Sequence, residues 1–392
     1  MKAIDDLSNY LKGRLVEIGR LKKEGKKIVG YIPAGYVPEE IIWAGGAIPV
    51  ALNRGGDHEA VMKSMEFIPR VYDTYSRCQI GYWALGEPLY QMADLMVVPC
   101  TDKNIQAIGD CWEMWTDTRL LRIGIPRNNT TEHAFKYYLE ALHELKGEIE
   151  KLTGNPITEA RLREEIETAN KMRFLLRQIS ESRKSKAVPI SGSDFVRLHH
   201  ASFLADRNFM VKHLESLSQE LKDKAGKKGP RVFLIGSSIA EGDNKIHDLL
   251  ESAGANVVME DFSEGMRPYC QQVESDGDSI QALADAYFRK RSPLPAFFRP
   301  SGGRLSILLK IAKEYGVNGI VWYTMMYHES HEIEGIHFGR RAEKEGFRFL
   351  RVVSDYDEAE YHVLRTRIEA FVESIKEGIS EEKVTKRAGR KA

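Results

Sequence analysis

Four groups of residues in this chain have the types and spacing that chemistry requires. Cys78 stands in Tyr75-Ser76-Arg77-Cys78, and Cys100 in Val98-Pro99-Cys100-Thr101-Asp102-Lys103. Cys100 follows an apolar, strand-like run and precedes a helical pattern. A thiol at a helix N-terminus feels the dipole and the free N–H groups, which favour the thiolate that attacks or binds metal. The third group, Trp322-Tyr323-Thr324-Met325-Met326-Tyr327-His328-Glu329-Ser330-His331-Glu332, follows a second apolar run. Its histidines stand three apart, not four as in the HExxH of zinc proteases, so zinc-hydrolase chemistry is not read from it. A Cys–His nucleophile pair is the weaker reading too, because nothing marks an orienting third group. The fourth group, Gly236-Ser237-Ser238, reads as a turn between strand and helix whose backbone amides suit a phosphate-bearing ligand. Its glycine spacing is not GxGxxG, so a dinucleotide site is a minority reading even with Glu260-Asp261 downstream.

The elements that must position these residues follow from periodicity. Strand-like runs at 27–32, 47–52, 95–98 and 121–125 alternate with helical patterns at 4–21, 38–44, 72–93 and 104–115. Short continuous apolar runs separated by helices indicate a parallel sheet covered on both faces. Between 130 and 224 only the 3.6-residue period appears, as in the stripe Phe135, Tyr138, Leu139, Leu142, Leu145, Ile149 and Leu152, which Gly154-Asn155-Pro156 ends. A basic linker, Lys222 to Pro230, leads to a second alternation with strands at 231–235, 256–259, 319–324 and 347–353. The expected units are an N-terminal α/β domain with a leading helix at 1–129, a helical segment and linker at 130–229, a C-terminal α/β domain at 230–380, and a polar, basic, frayed tail at 381–392. Open α/β sheets bind ligands beyond the carboxyl ends of their strands. Cys100 and His328 both stand there, which fits one site shared between two domains.

Composition narrows the partners. Lys plus Arg and Asp plus Glu number 57 each, for a formal net charge of zero, so no global field attracts nucleic acid or an anionic membrane. The apolar run at 319–326 falls far short of the roughly 20 residues that cross a bilayer, and the first twelve residues lack the apolar segment of an export leader. A cytoplasmic protein with a small-molecule or protein partner is expected. The four cysteines, Cys78, Cys100, Cys111 and Cys270, contain no CxxC pair and are too few for a disulfide scaffold. Taken singly, each reads equally well as a small buried hydrophobe.

The motifs together resemble those of a known family. Ile32-Pro33 to Pro49-Val50, Arg77-Cys78, Pro99-Cys100-Thr101-Asp102-Lys103, Ser191-Gly192-Ser193-Asp194 and Gly236-Ser237-Ser238 are similar to the cluster-carrying subunits of (R)-2-hydroxyacyl-CoA dehydratases and ATP-dependent benzoyl-CoA reductases. The resemblance implies two flavodoxin-like doubly wound parallel-sheet domains with a helical insertion between them. It also implies an acyl-CoA substrate, a related cluster-carrying partner subunit, and a separate ATP-hydrolysing iron–sulfur protein that donates a low-potential electron. The absence of a GxxxxGK[ST] loop agrees with ATP being handled elsewhere. Members hold one [4Fe-4S] cluster through three cysteines. Cys78 and Cys100 match the first two, whereas the third position falls at His328; histidine can replace cysteine on iron, and Cys111 and Cys270 stand as alternatives. The implied reaction is ring reduction or 2-hydroxyacyl-CoA dehydration. The short interval from Cys78 to Cys100 and the Met- and Trp-rich helix after it lean toward the reductase branch. A cluster-free accessory subunit is the alternative that the missing third cysteine permits, and the Gly236 group could serve coenzyme A.

Overall fold

The computed structural model describes residues 2–264 and 269–388. Its strands form two four-stranded sheets. The first holds β1 (Ile28–Tyr31), β2 (Ile48–Ala51), β3 (Leu95–Cys100) and β4 (Arg119–Gly124) in the order β2-β1-β3-β4. The second holds β5 (Arg231–Ser238), β6 (Asn256–Glu264), β7 (Gly319–Met325) and β8 (Arg348–Ser354) in the order β6-β5-β7-β8. Every pairing is parallel. Both sheets therefore repeat one doubly wound, flavodoxin-like order, as the alternation of runs leads one to expect. The physical cause lies in the strands: β1 and β7 are buried at every residue, so each face needs a helical cover.

Caps and glycines set the joints. Asp102 accepts from the N–H groups of Asn104 (2.7 Å) and Ile105 (3.3 Å) and so starts the helix Lys103–Trp115 directly after β3. Gly236 lies between two strands, where an added Cβ would come within 1.9 Å of the Tyr323 carbonyl oxygen. Residues 130–224 are helical as expected, in Glu132–Thr153, Glu159–Ser182, Gly192–Ala201 and Arg207–Lys222. Phe135, Tyr138, Leu142, Leu145 and Ile149 of the sequence stripe are buried, and Gly154 ends that helix at φ 73°.

Two expectations are corrected. Gly236-Ser237-Ser238 is not a turn but the end of β5. Gly236 keeps parallel register with Phe262 and Tyr323, Ser238 with Glu264, and Ser237 Oγ accepts from the Met325 N–H at 3.1 Å. The next helix begins only at Lys245, so the sheet and not a helix N-terminus fixes these amides. The final helix, Tyr361–Ala388, continues into the segment expected to fray, and 389–392 lie outside the described residues. Among the described residues no helix is long and apolar enough to cross a membrane.

Candidate functional site

The loops beyond the carboxyl ends of the two sheets are joined to each other. Gly55, after β2, donates its N–H to the Glu241 carbonyl at 2.9 Å, and Glu241, after β5, returns the bond to the Asn53 carbonyl at 2.7 Å. Farther along this junction lies a buried polar cluster. Just past β7, Tyr327 adopts φ 70° and turns the chain so that His328 opens the helix Glu329–Lys344. His328 is 1% exposed, and its Nδ1 lies 2.7 Å from Asp73 Oδ2.

Asp73 belongs to the first half of the chain. Its Oδ1 accepts from the Ser76 N–H at 2.7 Å and caps the helix Thr74–Ala84. Its own N–H donates to Asn104 Oδ1 at 3.1 Å, which leaves Asn104 Nδ2 facing the imidazole, 3.1 Å from His328 Nδ1. Because that amide presents only donors to the ring, the shorter contact places the Nδ1 proton toward Asp73. The helix N-terminus at Asp73 thus holds one histidine of the second sheet, and Asn104 steadies Asp73 by accepting from its N–H. On the other side of the ring, Nε2 is 4.0 Å from Glu264 Oε1 at the end of β6. His331 stands alongside, its ring centroid 4.8 Å from that of His328. One potential donor atom each from Glu264, His328 and His331 all lie within 4.8 Å of one another. Among the described residues no other trio of His, Cys, Asp or Glu does so. On the exposed rim, Lys103 and Glu329 form an ion pair across the two halves.

The electrostatics follow from burial and charge. Burial by itself would lower the His328 pKa, but Glu264, Asp73 and Asp102 outweigh it and hold it at about 10. Burial pushes Glu264 up to about 8 against the pull of His328. His331, buried beside His328 and near Arg304, sits well below its ordinary value. The buried cluster therefore holds one imidazolium between two carboxyl groups, with a neutral imidazole next to it.

Cys78 is fully buried, its Sγ 3.8 Å from the Asp57 carbonyl oxygen and beside Tyr82, and burial drives its thiol pKa far above the ordinary value. Cys100 closes β3 with its Sγ 3.8 Å from the Val98 carbonyl; burial raises it, and Arg122 opposes. Cys111 is buried against the Phe67 carbonyl and is pushed up to about 11. Cys270 is exposed, with Sγ 3.4 Å from the Ser292 carbonyl. Asp73, five residues before Cys78, and Asn104, four after Cys100, both lie against His328.

Asp73, Asn104 and Glu264 escaped the sequence reading. An N-cap signal, Asp73-Thr74-Tyr75-Ser76, marks the first; nothing local marks Glu264. Two cavities adjoin these elements. One of about 390 Å³ lies between the loops after β2, β5 and β8, lined by Gly56, Gly242, Lys245, Tyr356 and Tyr361. The other, about 350 Å³, flanks β6 and includes Arg177, Lys184, Tyr269, Cys270 and Arg291.

Two parallel sheets of the same winding, joined at their carboxyl ends over a buried polar cluster, define a doubly wound α/β protein with its candidate site between the sheets. The family described as 2-hydroxyglutaryl-CoA dehydratase, D-component, matches residues 34–375, and the chain belongs to that family. It is 21% identical over 359 residues to the (R)-phenyllactyl-CoA dehydratase beta subunit of Clostridium sporogenes, covering 91% of this chain and 93% of that one. A benzoyl-CoA reductase subunit of Thauera aromatica is 26% identical over 273 residues, 68% of this chain and 69% of its own. The beta subunit of (R)-2-hydroxyglutaryl-CoA dehydratase of Acidaminococcus fermentans is 21% identical over 367 residues, 91% and 95% of the two chains. The resemblance read from the motifs thus holds, and the chain is an enzyme subunit of the dehydratase-like kind.

Proposed function

We propose that this chain is a subunit of an enzyme that transforms a coenzyme A thioester by low-potential one-electron chemistry, either ring reduction of the benzoyl-CoA type or dehydration of an (R)-2-hydroxyacyl-CoA. It works with a related cluster-carrying subunit and receives electrons from an ATP-dependent iron–sulfur protein. The observation that carries this reading is the family match over residues 34–375. The cleft adds a role for the chain's own residues. In the metal-free chain, an imidazolium at His328, fixed through Nδ1 by Asp73, places positive charge beyond the strand ends, where a negative charge developing on a thioester or leaving oxygen would be stabilised. The test is anaerobic assay of the chain with its partner subunit and electron donor, using benzoyl-CoA and an (R)-2-hydroxyacyl-CoA in parallel. Turnover of one thioester is expected. Failure to turn over or bind either one overturns the reading.

A second reading has this chain carry a [4Fe-4S] cluster itself, and the position of Cys100 at the strand end, beside the helix cap Asp102, favours it. Cys78, Cys100 and His328 would hold the group, which when bound supplies low-potential electron transfer. Iron and acid-labile sulfide measured after anaerobic purification decide it. Four of each per chain, lost in Cys78→Ala, support it; neither element present removes it.

A further inference from the structure

We infer that Glu264, His328 and His331 form a binding site for a single divalent transition-metal ion, zinc or ferrous in kind, distinct from any iron–sulfur cluster. The donor types are the first argument. Two imidazoles and one carboxylate are the set that holds zinc in hydrolytic sites and ferrous ion in mononuclear sites with open positions. Here the three donors converge within 4.8 Å and contain no sulfur. His328 and His331 are each 1% exposed and Glu264 is 2% exposed, so the geometry is set by packing and not by solvent.

Orientation is the second argument. Asp73 takes the Nδ1 side of His328, and this turns Nε2 toward Glu264 and His331. A carboxylate behind a ligating histidine is the usual outer-shell arrangement, fixing the tautomer and raising the basicity of the nitrogen that binds. The third argument is an unmet need. Among the described residues, Glu264 Oε2 is buried with no hydrogen-bond partner, a state that is costly for a carboxylate. A cation between the two imidazoles and this carboxylate satisfies that oxygen.

The inference does not rest on the acyl-CoA reading, and its test needs no substrate. Cobalt(II), then zinc, is titrated into the metal-free full-length chain under anaerobic conditions. One equivalent is expected to bind, with visible bands of nitrogen and oxygen coordination and no thiolate-to-cobalt absorption in the near ultraviolet. Glu264→Gln and His331→Ala are each expected to weaken binding by roughly a hundredfold or more, and Asp73→Asn by roughly ten- to a hundredfold with the stoichiometry kept. Cys78→Ala and Cys100→Ala leave the cobalt spectrum unchanged. Absence of stoichiometric binding, or thiolate absorption in the spectrum of the unaltered chain, overturns the proposal whether or not the variants fold. Four irons with four sulfides, lost in His328→Ala as well as with the cysteines, overturn it in favour of a cluster that uses His328.

Discussion

Asp73 does two jobs with two oxygens, and substitutions separate them. Asparagine caps a helix about as well as aspartate, so Asp73→Asn keeps the start of Thr74–Ala84 but strips the charge that faces His328. Removing one partner of a buried ion pair costs about 3–5 kcal/mol, and Asp73→Ala should cost about 1 kcal/mol more for the lost cap. Equilibrium urea unfolding of the two variants checks the order. The same cluster sets a pH dependence in the metal-free chain. The folded pKa of His328, about 10, lies above its ordinary 6.5. Its contribution is therefore complete below about pH 6.5 and is lost as pH rises through 10. Glu264, raised from 4.5 to about 8, acts in the same direction, while His331, lowered by burial, withdraws stability as pH falls below its ordinary value. The urea midpoint should fall between pH 7 and 10, and His328→Gln should flatten that limb; parallel limbs would refute the assignment. Thiol labelling at pH 8 adds a simple check: Cys270 should react in the folded protein, and Cys78 only on unfolding.

At the scale of elements, the readable and the unreadable parts divide by range. Helical stripes and the Gly154 stop are local signals, and each stands where the sequence puts it. The length of β5 is not local. Gly-Ser-Ser reads as a turn because no residue in it favours a strand, and only the flanking strands β6 and β7 hold it extended. Spacing likewise puts His328 at a strand end, but its partner Asp73 lies 255 residues away, beyond any periodicity argument. Close crossings belong to this scale as well. The helices His58–Ser64 and Thr74–Ala84 approach so closely at Gly81 that a Cβ there would lie 1.7 Å from the Ala60 carbonyl oxygen. Backbone cannot yield as a side chain can. Gly81→Ala should cost about 3 kcal/mol, the upper range for overpacking, and should displace the helix that begins at Asp73. A drop in thermal midpoint together with weakened cobalt binding is the expected pair of readouts; an unchanged midpoint would refute the crossing.

At the scale of the whole molecule, the helical segment is a structural tie and not an appendage. Arg173, in the helix Glu159–Ser182, pairs with Glu40 of the first sheet's helix Glu39–Ala44 and donates to Tyr287 Oη at 2.7 Å from the second half of the chain. Tyr287 in turn donates to the other oxygen of Glu40 at 2.9 Å, and both charged side chains are at most 3% exposed. Arg291 adds a bond to the Gly35 carbonyl at 2.6 Å, and Asn129 one to the Phe288 carbonyl at 3.1 Å. One buried network thus spans the first sheet, the helical segment and the second half, so the two sheets should not unfold independently. Arg173→Ala leaves Glu40 buried without its cation, which costs about 3–5 kcal/mol. That loss should appear in both halves at once. Trp112 packs in the core beneath the first sheet and Trp322 on the second, so single-tryptophan variants that retain one or the other report each half separately. In each of them Arg173→Ala should lower the unfolding midpoint in urea by the same amount. Two separated transitions, with the substitution moving only one, would show that the sheets fold as independent units. The cleft between them would then be a hinge and not a fixed site.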